Sequence, residues 1–191
     1  MTRFWWVRHG PTHQTAFTGW RDVPADLSDI AALQRLNEHL PKGALVISSD
    51  LSRAITTADR LTGRTRLPHL AALREFDFGD WDGKHWSDVA TTHPDLSRRY
   101  WEDPGDHAPP NGESWNTAAA RITRATDLLL AQHPDRDLIL VAHFGTILTQ
   151  LARAAGLTPY QALAHKIDTL SVTCLSHDGT RWHADSINHL P

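Results

Sequence analysis

The chain has 191 residues, 40% hydrophobic and 21% charged, with 19 basic side chains against 22 acidic ones. That length suits one domain, residues 1–191, with a real core; the charge balance offers no basic stripe for nucleic acid, and no run approaches the ~20 apolar residues of a membrane span. The apolar run in MTRFWWVRHG is too short for a secretory signal, so the N-terminus reads as mature and the protein as cytoplasmic, with its oligomeric state open.

FWWV (4–7) is short, apolar and bounded by polar residues, and reads as a buried strand. Leu27, Ile30, Leu33, Leu36 and Leu40 then recur at helical spacing, with Ser28 as the expected N-cap and Pro41-Lys42-Gly43 as the stop. A second strand, ALVIS (44–48), leads into a helix capped by Asp50 or Ser52 and running to about Leu61, before Gly63. The segment from about 80 to 111 is polar and rich in tryptophan and proline, and is expected to be a substrate-covering excursion. Its tryptophans, with Trp115 beside it, leave room for a partly apolar substrate. The longest helical pattern runs from about Ser114 to His133 through Trp115, Ala118, Ile122, Ala125 and Leu129. It feeds a third strand, LILVA (138–142), followed by a helix over about Thr146–Ala155. Finally, SVTCLSHDGTRWHADSI alternates around Asp178-Gly179 and predicts an antiparallel hairpin. Strands alternating with helices point to an α/β sandwich on a mainly parallel sheet. The lone Cys174, in the apolar run SVTCL, reads as a buried inert thiol.

In such sheets ligands bind beyond the carboxyl ends of the strands. FWWV exits into Arg8-His9-Gly10, LILVA into His143-Phe144-Gly145, and ALVIS into Ser48-Ser49-Asp50-Leu51-Ser52-Arg53. Each residue alone reads more simply as a structural hydrogen-bonding group. Together, two histidines, two arginines and helix N-termini suit a phosphoryl group, which guanidinium binds bidentately. A neutral imidazole can attack phosphorus, and neighbouring arginines disfavour its charged form. The thirteen histidines show no His-x-His or HExxH spacing, so no metal is expected.

With Leu73-Arg74-Glu75-Phe76-Asp77-Phe78-Gly79-Asp80-Trp81-Asp82-Gly83 added, these motifs resemble the histidine phosphatase superfamily, which includes cofactor-dependent phosphoglycerate mutase. The resemblance spans residues 8 to 145. It implies a three-layer fold whose mixed sheet has one antiparallel strand. It also implies His9 as the phosphorylated nucleophile, Arg8, Arg53 and His143 as holders of the phosphoryl oxygens, and Glu75 as the proton donor. Phe17-Thr18-Gly19-Trp20 resembles a segment that touches substrate in the mutases, which makes Thr18 and Gly19 pocket residues. The pattern departs at Pro11 and Thr15, where many relatives carry Glu and Asn, and at Phe144, which brings a ring near the pocket. The LREFDFGDWDG block is similar to that of α-ribazole and general sugar-phosphate phosphatases. Mutases of this family are longer and carry a tail that shields the phosphoenzyme. The stretch after Gly145 is filled by a helix, a turn segment and the hairpin, so hydrolysis of a small phosphate ester, without cofactor, is the expected reaction. Mutase-type transfer and a non-catalytic phospholigand-binding module are the alternatives.

Overall fold

A computed structural model describes residues 1–191. Six strands form one sheet: β1 (Thr2–Arg8), β2 (Leu45–Ser48), β3 (Thr65–Arg66), β4 (Asp137–Ala142), β5 (Val172–His177) and β6 (Trp182–His189), in the order β3-β2-β4-β1-β5-β6. β3, β2, β4 and β1 pair in parallel, and β5 runs antiparallel to both β1 and β6, so it is the one reversed strand.

Helices cover both faces, which is why the parallel strands read as continuous apolar runs. Phe4 and Trp6 of β1 point to the side of α5 (Trp115–Gln132) and α6 (Phe144–Ala155), where they join Ile122, Leu129, Ile147 and Leu151. Val7 points to the opposite side, with Leu36 of α1 (Ile30–His39) and Ala54 and Ala58 of α2 (Ser52–Asp59). The outcome is a three-layer α/β/α sandwich. No helix is long and apolar enough to cross a membrane.

Several boundaries differ from those read in the sequence. The first helix starts at Ile30, because Asp29 rather than Ser28 accepts the Ala32 amide. Leu27 stays outside the helix and Ile30 is 59% exposed, so the buried stripe is Leu33 and Leu36, closed by Leu40. Neither Asp50 nor Ser52 caps α2: the carboxylate of Asp22, thirty residues upstream, accepts from the Ser52 amide and hydroxyl at 2.8 and 2.7 Å. α6 begins at Phe144 and not at Thr146. The segment over 80–111 is more regular than an irregular loop, since His85 caps α3 (Trp86–Thr92) and Pro94 opens α4 (Pro94–Glu102). Their apolar residues Val89 and Tyr100 close on Trp81 in a small core of their own. α7 (Pro159–Leu163) is set by a capping box between Thr158 and Gln161. Cys174 is buried and its thiol is pushed up to about 12, chiefly by burial, in keeping with an inert thiol.

Candidate active site

The register of the three central parallel strands fixes where the chemistry gathers. Arg8 stands opposite Ala142, and the His9 amide donates to the Ala142 carbonyl at 3.1 Å, so His9 and His143 leave the same sheet edge side by side. Their rings lie 5.1 Å apart. On the other flank of β4, the Ser49 amide binds the Val141 carbonyl, and the chain turns into α2 with Arg53 in its first turn.

His9 Nδ1 lies 2.7 Å from the Gly10 carbonyl oxygen. A carbonyl only accepts, so Nδ1 carries the proton and Nε2 keeps its lone pair. The ring is held down to about 3, first by burial and then by Arg53 and Arg8, against the opposing bond to Gly10. Burial therefore outweighs the arginines in keeping His9 neutral. His143 is also held well below the usual histidine range, by burial first. Its Nδ1 accepts from Arg53 Nε at 3.2 Å, which puts the proton on Nε2, and Nε2 has no partner among the protein atoms.

Arg53 is 1% exposed and also donates to the carbonyls of Arg21 and Gly19, at 3.0 and 2.6 Å. It thus locks the Gly19 loop to α2, and a methyl group at Gly19 would meet the Phe76 carbonyl at 2.5 Å. Arg8 donates to the Ile167 carbonyl at 2.6 Å, leaves Nε unpartnered, and lies 5.4 Å from the Phe144 ring centre.

Glu75 is buried. Its Oε2 accepts from the Gly145 amide at 3.1 Å and its Oε1 from the Phe76 amide at 3.0 Å. Burial raises its pKa despite these two bonds and the pull of Arg53 and Arg8. It forms no ion pair with its sequence neighbour, because Arg74 is held bidentately by Asp50. The other acids of the motif are engaged in loop structure: Asp77 binds the Gly79 amide, Asp80 the Asn111 side chain, and Asp82 the amides of Gly19 and Arg21.

Arg8, His9, Arg53, Glu75 and His143 are thus brought together, with Gly19 and Phe144 against them. Thr15 is exposed in an outer hollow with Trp86 and Trp101, and Thr18 is half-buried, its hydroxyl donating to the Ala16 carbonyl. The sequence reading overlooked Arg121 and quoted Trp20 only as part of the segment over 17–20; both donate to the Glu75 carbonyl. Arg121 also binds the Ala72 and Arg74 carbonyls and a bidentate Glu113, and the Arg74 and Arg121 guanidinium groups lie 5.0 and 5.8 Å from the Trp20 ring centre. Arg121 flanks the unbroken apolar stripe of α5 beside Ile122, so the local pattern does not distinguish it from an ordinary surface arginine.

This combination of fold and site defines a class. Residues 4–190 match the family model of the histidine phosphatase superfamily, branch 1, and the chain belongs to that superfamily, as a phosphatase-class enzyme. It is 35% identical to the glucosyl-3-phosphoglycerate phosphatase of Mycolicibacterium vanbaalenii, over 79% of this chain and 73% of the relative. It is 32% identical to the 2,3-bisphosphoglycerate-dependent phosphoglycerate mutase of Brucella abortus, over 85% of this chain and 86% of the mutase. The solved mycobacterial glucosyl-3-phosphoglycerate phosphatase superposes with a TM-score of 0.84 at 30% identity, over 99% of both chains. The Brucella alignment corrects one expectation. Its 177 residues cover 86% of that mutase, so mutases of this family are not all distinctly longer, and length does not separate the two activities.

Proposed function

We propose that the protein is a metal-independent phosphomonoesterase that hydrolyses a small phosphorylated metabolite through a phosphohistidine on His9. The observation that carries this reading is a buried, neutral His9 whose Nδ1 proton is tied to the Gly10 carbonyl. Its Nε2 lone pair attacks phosphorus, the P–O ester bond breaks, and Glu75 gives its proton to the departing alkoxide. Water then attacks the phosphohistidine, Glu75 takes up the water's proton, and the P–N bond breaks to release phosphate. Arg8, Arg53 and the Nε2–H of His143 carry the charge on the phosphoryl oxygens. Gly19 and Phe144 border the leaving group, while Thr15 and Thr18 belong to the outer rim.

Support for hydrolysis comes from the phosphatase relative and the solved phosphatase above. The test is hydrolysis of an aryl phosphate in excess chelator, with enzyme quenched in alkaline detergent and examined for acid-labile, base-stable label. Wild type should turn over and carry label on His9, and His9→Ala should do neither. Label on another residue, or turnover that the chelator abolishes, would overturn the reading. The Brucella relative keeps a second reading in view, phosphoryl transfer to a phosphoglycerate rather than to water. Incubation with 2,3-bisphosphoglycerate and 3-phosphoglycerate separates the two: a mutase interconverts the monophosphates, and a phosphatase releases inorganic phosphate.

A further inference from the structure

A cavity opens directly from Glu75 and Gly145. Phe76 and Phe144 form the wall that continues from the site, and Tyr100, Trp101 and Pro104 of the 80–111 segment face it. Phe78, His107, Trp115 and Leu163 complete the lining, and Phe76 meets Trp115 edge-on at 5.6 Å. The volume is about 40 Å³, room for about three waters and so for the edge of one flat ring rather than for a disaccharide. Past Trp101, on which Phe17 stacks at 6.1 Å, lies the outer hollow with Trp86, itself 63% exposed.

The polar inventory of this slot is what selects. Glu75 and His107 are its only titratable acid and base besides the buried Tyr100 hydroxyl, no lysine or arginine lines it, and His107 Nε2 already faces Asp103 at 3.5 Å. A carboxylate on the alcohol would be stripped of water beside Glu75 and would compete with the phosphoryl group for Arg8 and Arg53, the cations nearest that carboxyl. Sugar hydroxyls would lose water for few partners. A flat apolar group loses nothing there and gains aromatic contact.

Resting on the phosphatase reading, we propose that this slot receives the leaving group, and that the preferred substrates are phosphate monoesters of flat, apolar alcohols rather than of glycerate or sugars. Benzyl phosphate, glycerol 3-phosphate and 3-phosphoglycerate are all alkyl esters, so their comparison tests the slot and not leaving-group chemistry. We expect kcat/KM for benzyl phosphate to exceed the other two by about tenfold or more, the scale of burying one ring. Trp101 is 40% exposed, so Trp101→Ala should fold, and it should lower the benzyl-to-glycerol ratio several-fold, mostly through KM. Calorimetry with His9→Ala, which needs no turnover, should show the same order of affinity.

Hydrolysis of all three esters at similar kcat/KM, or a ratio untouched by Trp101→Ala, would overturn the slot while leaving the phosphatase reading intact. Tighter binding of benzyl phosphate without turnover by wild type would uphold the slot and sink the phosphatase reading. Neither turnover nor selective binding would sink both.

Discussion

In the proposed mechanism Glu75 must hold a proton when an alkoxide leaves and must have lost it when water attacks. A buried carboxyl between two backbone amides and near two arginines can do both, because burial raises its pKa while the amides and arginines limit the rise. Glu75→Gln should therefore slow alkyl phosphate hydrolysis by roughly 10² or more and affect a nitrophenyl ester much less, since a good leaving group needs no proton. Equal losses on both, or selective loss in Asp77→Asn instead, would show that another group is the acid. The pH dependence has a definite sign. The protonated carboxyl is the working acid, so alkyl ester turnover limited by bond cleavage should decline as pH rises through the raised Glu75 pKa, and Glu75→Gln should lack that decline. Arg53→Ala should cost roughly 10² to 10³ in rate. Because Arg53 also pins Gly19 and Arg21, a fall in thermal midpoint should accompany the loss.

At the scale of elements, the N-terminus of α6 is where architecture and chemistry meet. Its second residue is glycine because a methyl group there would meet Glu75 Oε1 at 2.6 Å and the Phe76 ring at 3.1 Å. Gly145→Ala should push Glu75 off its amide and cut alkyl phosphate turnover at least about tenfold, a small displacement being enough to lose alignment. A wild-type rate would mean that Glu75 relaxes freely. The cap of α2 makes a parallel case. Asp22 binds the Ser52 amide from a distant loop, so Asp22→Ala should lower stability by about 1 kcal/mol in urea titration, and unchanged stability would remove Asp22 as the cap.

For the whole molecule, two buried neutral histidines make stability depend on acidity. Unfolded histidine binds a proton as pH falls through about 6.5, whereas folded His9 resists until about 3. The unfolded state thus binds more protons between those values, and stability falls with pH by up to about 1.4 kcal/mol per unit for each such histidine. Glu75 acts in the opposite sense: with its folded pKa raised, it adds stability at low pH that is lost as pH rises through that pKa. His9→Asn should flatten the slope between pH 6 and pH 4 by about 1 kcal/mol per unit, measured by urea unfolding at each pH. Parallel slopes for wild type and variant would count against a neutral buried His9.

Much of this was legible in the chain, because hydrophobic period and turn chemistry are local. The runs FWWV, ALVIS and LILVA are strands because both their faces are covered, the helix over Ser114–His133 carries its own cap and stripe, and Asp178-Gly179 turns the hairpin. The motif residues after those strands were also visible, since parallel neighbours deliver their carboxyl ends to one edge. What tertiary structure decided are the long-range partnerships that no local pattern encodes. Asp22 caps a helix thirty residues away, Arg121 and Trp20 hold the Glu75 backbone from separate elements, and the reversed strand β5 takes its place beside β1. Burial decided the rest: the sequence supplies a histidine and a glutamate with ordinary acidities, and only enclosure by packed neighbours, which removes water from the charged forms, leaves one neutral and raises the other.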